Sequence, residues 1–377
     1  MADILITGGA GFIGSHTARA LLQHGHRVRV LDNLSAQIHG EGADWPVHLD
    51  TRVERLRGDV TDPATCRLAL EDIEVVYHFA AETGVGQSMY DMRQYTHTNV
   101  TGTATLLEAA LGRARPPRRL ILASSRAVYG EGQYACPVHG QVKPADRTRA
   151  ALDAGDFSLR CPHCASPLSP GPTPENHPLR PLSVYGWTKK HQEDLCLLAA
   201  ASHSLDVVLL RYFNVYGSLQ SLHNPYTGVV TIFFNRLRAG QPIHLYEQGL
   251  PLRDFVHVRD VVQANILALE RELPSGSVFN VGSGSACPIA EVAEALAEAL
   301  GLTARLVPGN AYRVGDIFAC TADLGHSREV LGYTPRIGLQ EGMREFTAWA
   351  LTQQGRDDYD RTVEELRRHG LFGGGTS

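Results

Sequence analysis

The sequence predicts a doubly wound parallel α/β sheet with a smaller mixed α/β lobe beside it. Three observations carry that expectation. Short β-rich runs alternate with helical patterns through the first third, a glycine-rich turn follows the first run, and shorter strands mixed with helices replace the pattern in the last third. Strand–helix–strand repetition with apolar strands points to a parallel sheet covered on both faces.

The elements follow in order. DILIT opens the sheet, and a helical pattern over 12–24 follows it. HRVRVLD, VERLRGDV and IEVVYHFAA continue it, with helices over 62–71 and 95–113 before the strand RRLILASS. Periodicity stops between 130 and 182, where Gly, Pro, Cys and His accumulate. It resumes in a helix over 183–203 and the strand LDVVLLRYF. PIHLY, DFVHV and SVFNVG are the later strands, with helices near 259–271, 289–300 and 338–353, and GVVTIF begins one more. The chain so divides into a sheet domain (1–130 plus 181–212), a Cys/His insert (131–180), a substrate lobe (213–354) and a C-terminal tail (355–377). The charged stretch 358–369 reads as a solvated surface helix, and LFGGGTS as a loose end.

Composition narrows the functional classes. Of 377 residues, 43% are hydrophobic, enough for a sizeable core. A net charge of −5 without a long basic run argues against nucleic acid or an anionic membrane as partner. No apolar run approaches the roughly 20 residues of a membrane-spanning helix, and the start carries no basic leader, so a cytoplasmic protein is expected. Seven cysteines, scattered except for one cluster, do not make a disulfide framework. Cys66, Cys196, Cys287 and Cys320 read as buried small hydrophobes.

Two sites stand out. In ITGGAGFIGSH, Gly8, Gly11 and Gly14 sit between a strand and a helix opened by Phe12 and Ile13. Such glycines permit a tight turn and let the backbone approach a pyrophosphate, which the helix N-terminus stabilises. Asp32, followed by Asn33, ends the next strand, where a carboxylate accepts bonds from a ribose diol and repels a 2′-phosphate. The pattern therefore favours NAD over NADP. Asp59 follows another strand, either as an adenine contact or as a capping aspartate, with Val60 beside it as a cofactor-binding candidate, and Phe79, Ala80 and Ala81 of HFAAE would line the same cleft. The second site is SVYGWTKK, where Tyr185 and Lys189 are four apart and share a helix face. A tyrosine beside an ammonium becomes a usable base, and Ser125 can hydrogen-bond a reacting hydroxyl.

TGGAGFIG, HFAAE, the block SSRAVYG, YGWTK, RYFNVYG, RDFVHVRD and FNVGSG together resemble the extended short-chain dehydrogenase/reductase family of NAD-dependent sugar-nucleotide epimerases and dehydratases. The resemblance spans the chain outside 131–180. It implies a Rossmann domain, a C-terminal sugar-nucleotide lobe, a homodimer, and Ser125, Tyr185 and Lys189 as catalytic residues. Asn99 matches an asparagine supporting the cofactor site. Gln87, Ser88, Arg126, Asn214, Val229, Arg253, Arg313 and Asp316 fall where relatives hold sugar, diphosphate or nucleoside. His223, Asn224 and Tyr226 of SLHNPYTG either border the sugar site or form a loop turn.

The resemblance also separates the family's reactions. Dehydratases carry an Asp-Glu pair directly after the catalytic hydroxyl residue, and decarboxylases a glutamate two before the tyrosine of VYG. This chain has Ser125, Arg126 and Ala127 there, and neither Arg126 nor Ala127 transfers protons near neutral pH. A 4-epimerase with tightly bound NAD is what remains. SSRAVYGEGQYACPVHG, RCPHCASPL and SLHNPYTGVV further resemble the branch of dTDP-L-rhamnose 4-epimerases, implying a dTDP-6-deoxyhexose. The alternatives are an epimerase of a UDP- or GDP-hexose, a 4-ketoreductase or dehydrogenase, and a catalytically silent sensor of NAD or sugar nucleotide. Finally, Cys136-x-x-His139 and Cys161-x-x-Cys164 form two knuckles with the ligand set of a closed, structural Zn2+ site.

Overall fold

Seven parallel strands form the central sheet, in the spatial order Ser277–Val281, Asp206–Tyr212, Arg119–Ser125, Val75–His78, Asp3–Thr7, Arg27–Asp32, Glu54–Arg57. The computed structural model describes residues 1–224, 226 and 228–375; Pro225 and Thr227 of the SLHNPYTG motif and Thr376 and Ser377 of the tail lie outside them. The strand order reverses beside Asp3–Thr7, and a doubly wound sheet binds its ligand in the crevice at such a point.

Alternation within each strand builds two cores at once. Ile4, Ile6, Ile121, Ala123, Val208 and Leu210 feed one apolar cluster. Their neighbours Leu5, Leu120, Leu122, Val207 and Leu209 feed another on the opposite face. Successive side chains point to opposite faces, so near-continuous apolar strands are what a sheet covered on both sides requires. Helices Phe12–Gln23, Pro63–Ala69, Val184–Ser202 and Val258–Glu270 lie close to their expected bounds. Asp62 caps one through Ala64 and Thr65, with Pro63 in its first turn, and Ser183 caps another through Gly186.

Three expectations are corrected. The single helix over 95–113 is two elements, a π-helical turn Thr96–Thr101 and a helix Gly102–Leu111. Local π geometry of this kind concentrates at functional sites. The insert is not a separate knot. Its strands Gln133–Cys136, Gly140–Val142 and Ser169–Thr173 join Ala319–Ala322, Leu252–Arg253 and Cys287–Pro288 in one six-stranded sheet, so insert and lobe are continuous.

The C-terminal stretch is a surface helix with one packed face, and the described part of the tail after it is tied to the lobe. Helix Tyr359–Arg368 buries Val363 and Leu366, and Phe372–Gly373 pairs antiparallel with Tyr312–Arg313. The physical reason is the i,i+3 apolar pair Val363 and Leu366, which gives an otherwise charged helix one packing stripe. Leu366→Ala should therefore lower unfolding stability by about 2–5 kcal/mol in denaturant titration. A change within about 0.5 kcal/mol would mean the helix is a surface element.

Candidate active site

A cavity of about 860 Å³ runs from the glycine turn, across the ends of the central strands, to the lobe. Its first end is the glycine cradle. Gly8 has φ +68, and a Cβ there would meet Ala80 N at 2.7 Å; one at Gly14 would meet Gly8 O at 2.5 Å. No side chain fits at either position, which leaves the turn flat against the neighbouring strand. Gly11, Phe12 and Ile13 face the cavity at the helix start, while Gly14 is buried behind them.

Asp32 is 8% exposed and accepts bonds from Ala10 N at 3.0 Å and Leu34 N at 2.9 Å. Burial raises its pKa against those bonds. His39 Nε2 lies 3.9 Å from it, a neighbour the sequence did not single out. Asn33 donates to Asp59 Oδ2 at 2.9 Å, so these two side chains close the same wall, with Val60, Phe79, Ala80 and Ala81 beside them. A buried carboxylate facing a side-chain-free turn fits a dinucleotide with an unphosphorylated ribose.

Midway, the fold brings together residues sixty positions apart. Strand Arg119–Ser125 ends on Ser125, and helix Val184–Ser202 carries Tyr185 and Lys189 in its first turns. All three line the cavity. Burial pushes the Tyr185 phenol up, while the Ser125 hydroxyl bonded to it and the Arg126 charge pull it down. Lys189 is 3% exposed and donates to Ala123 O at 2.9 Å; burial presses its pKa down to about 7. The expected direct pull of the Lys189 ammonium on Tyr185 is therefore not what the protein alone provides: desolvation wins at both groups.

Three expected contacts stand behind the cavity wall rather than on it. Asn99 is buried in the π-helical turn, accepting from Glu82 N at 2.8 Å and donating to Thr188 Oγ1 at 2.9 Å. Ser88 accepts from Tyr185 N at 3.0 Å and donates to Val85 O at 2.7 Å. Gln87 pairs with Gln37 at 2.9 Å and Tyr95 at 3.1 Å. Each is spent on fixing the loop 82–88 and the catalytic helix, so each supports the site through other residues.

At the far end Arg126, Asn214, Val229, Arg253, Arg313 and Asp316 all line the cavity, with His223 and Tyr226. Arg253 is 7% exposed, and burial together with Arg126 lowers its pKa to about 10. Arg313 pairs with Asp316 at 2.7 Å. Burial raises the Asp316 carboxyl, yet Arg313 and Arg253 outweigh it and hold it low. Three guanidiniums crowd one aspartate, so the pocket carries uncompensated positive charge suited to a diphosphate. Asn214 Oδ1 is buried without a hydrogen-bond partner among the described residues. Sequence reasoning missed Tyr246, Tyr359, Thr362, Val363 and Leu366, which also line this end. Only the spacing of Val363 and Leu366 could have signalled them.

Outside the cavity the four knuckle residues do meet. Cys136 Sγ lies 3.6 Å from both His139 Nδ1 and Cys164 Sγ, and Cys161 Sγ lies 3.5 Å from His139 Nδ1. All four ligand atoms fall within 4.8 Å of one another. A tetrahedron with ligand bonds of about 2.0–2.3 Å has edges of about 3.5–3.8 Å, so the spacing fits zinc. It is far too long for a disulfide. Cys66, Cys196, Cys287 and Cys320 are buried and free, as expected.

Fold and cavity define a two-lobed dinucleotide enzyme, with its chemistry set between a cofactor cradle and an anion-binding pocket. The chain belongs to the NAD dependent epimerase/dehydratase family, whose model matches residues 4–150 and 162–282. It is 38% identical over 348 residues to a dTDP-L-rhamnose 4-epimerase of Burkholderia thailandensis, covering 92% of this chain and 94% of that one. Among solved structures it is similar to MoeE5 in complex with UDP-glucuronic acid and NAD, with a TM-score of 0.74 and 32% identity over 93% of this chain and 99% of that one. The UDP-glucose 4-epimerase of Thermus thermophilus in complex with NAD matches with a TM-score of 0.72 and 31% identity, over 92% and 98% of the two chains.

The depressed Lys189 pKa carries a stability consequence. Its folded value of about 7 lies below an unfolded value of about 10.4, so the burial cost is full below pH 7 and fades as pH rises toward 10. Lys189→Met should raise Tm relative to wild type, most below pH 7 and least near pH 10. A Tm difference that is flat with pH would refute this.

Proposed function

We propose that this chain is an NAD-dependent nucleotide-sugar 4-epimerase acting on a dTDP-6-deoxyhexose. The observation that carries the reaction type is the pairing of Ser125 with Tyr185 in a cavity whose next wall positions are Arg126 and Ala127. Elimination and decarboxylation in this family call for a carboxylate at that point. NAD, when bound in the cradle, supplies the reversible hydride acceptor. Ser125 holds the sugar hydroxyl against Tyr185, which takes its proton and later returns it. Lys189 lies one turn along the same helix face, held by its bond to Ala123 O at 2.9 Å. Arg253 and Arg313 grip the diphosphate while the keto sugar turns over within the 860 Å³ cavity. Hydride leaves and returns to one substrate, so no net oxidation occurs and exchange of the cofactor is unnecessary.

Support for dTDP-L-rhamnose as substrate comes from the 38% identity to the Burkholderia enzyme, against 30% for the UDP-glucose 4-epimerase of Corynebacterium glutamicum. We further infer that Cys136, His139, Cys161 and Cys164 hold one structural zinc, which ties the insert without entering catalysis. Four thiol and imidazole ligands in that state suit a reducing compartment, the cytoplasm. Trp187 and Leu198, 47% and 64% exposed on helix Val184–Ser202, support a homodimer through that helix.

Incubated with dTDP-L-rhamnose, the protein should form the 4-epimer without steady absorbance change at 340 nm. Tyr185→Phe should lower kcat by about 10²–10⁴-fold with bound NAD retained. Full turnover in that variant would refute the mechanism. Elemental analysis should find about one zinc per chain, and Cys161→Ser should lose it together with thermal stability. Metal-free protein with unchanged Tm would refute the zinc site.

A further inference from the structure

We propose that Arg147, an insert residue outside the cavity lining, is a positioning residue for the substrate's nucleoside-diphosphate group. This rests on the functional reading above and deepens it.

Arg147 lies between the insert and two segments of the lobe. Its side chain is 8% exposed, and it forms an ion pair with Glu247, itself 3% exposed, while Glu131 lies 3.7 Å away on the other side. Its second terminal nitrogen donates to Asp316 O at 2.6 Å. One planar guanidinium therefore ties the insert to 246–249 and to 311–319, a geometry the fork of Arg permits and the point charge of Lys does not.

Both tied segments deliver cavity residues. Glu247 and Gln248 have φ of +48 and +59, left-handed conformations that neither residue favours, and Glu247 N donates to Ala311 O at 2.9 Å. That turn presents Tyr246, whose ring centroid lies 5.7 Å from the Arg313 guanidinium carbon. The other segment carries Arg313 and Asp316, and its carbonyls at Ile317 and Phe318 accept from Arg253 at 2.7 and 3.0 Å. Glu131 extends the tie by accepting from Phe318 N at 2.8 Å. Burial raises the Glu247 carboxyl and the Arg147 charge opposes it. Loss of Arg147 would leave a strained turn without its anchor and free both arginines of the clamp to shift. Catalytic Ser125, Tyr185 and Lys189 make no contact with it among the bonds above.

The test measures binding of dTDP, with UDP beside it, to NAD-loaded full-length protein by calorimetry, together with KM and kcat. Arg147→Met, and Arg147→Lys as a charge-conserving second variant that lacks the fork, should each weaken nucleotide binding and raise KM by about 10-fold or more. NAD content and kcat at saturation should stay within about three-fold. Unchanged affinity in either folded variant would overturn the proposal. So would a kcat that falls in parallel with affinity, the mark of general damage. Wild-type protein that binds neither nucleotide would sink the functional reading itself. Tight wild-type binding that both variants retain would sink only the role of Arg147.

Discussion

The placement of Ser125, Tyr185 and Lys189 depends on one buried ion pair. Glu193 and Arg211 are 1% and 4% exposed and meet at 2.7 Å. Glu193 belongs to the helix that carries Tyr185 and Lys189, and it accepts from Ser124, the neighbour of Ser125. Arg211 belongs to the next strand and also reaches Tyr129 at 3.0 Å and Glu175 O at 2.7 Å. Helix, strand and the far edge of the insert are thereby held in one register. A buried charge left without its partner is strongly destabilising, so the pair acts all or none. The hydrogen bond between Ser125 and Tyr185 follows from that constraint.

Around it the molecule separates two kinds of binding. The cofactor end is built by omission: at Gly8 and Gly14 a single methyl group would collide with backbone, so shape does the selecting. The other end gathers charge, with Arg126, Arg253 and Arg313 around Asp316 and with Glu247 on the same lining. Arg253, already pressed down to about 10, is relieved when an anion arrives. Both groups line one cavity, with Ser125 and Tyr185 on its wall as well.

Much of this was legible in order along the chain. Short β-rich runs marked the seven sheet strands, and the glycine turn, Asp32 and the pair Tyr185 and Lys189 are local patterns whose spacing states their geometry. Less legible were contacts made by single residues on irregular backbone. Asn99, Gln87 and Ser88 lie at the right place in the motifs, yet each turns its side chain away from the cavity to hold a neighbour. A motif gives position along the chain; the direction of a side chain depends on which partner satisfies its polar atoms.

The C-terminal helix and Arg147 mark the limit most clearly. Charged neighbours on the same short helix disguise Val363 and Leu366, and nothing local distinguishes Arg147 from other arginines of the insert. By itself the sequence determined the parallel sheet and the glycine turn, and it marked Ser125, Tyr185, Lys189 and the Cys/His set as candidates, because each rests on short-range periodicity or spacing. Only the tertiary structure decided that the insert and lobe share one sheet, that the C-terminal helix lines the cavity, and that Arg147 joins Glu247 to Asp316. Those are pairings between segments distant in the chain, settled by which surfaces and charges find burial together.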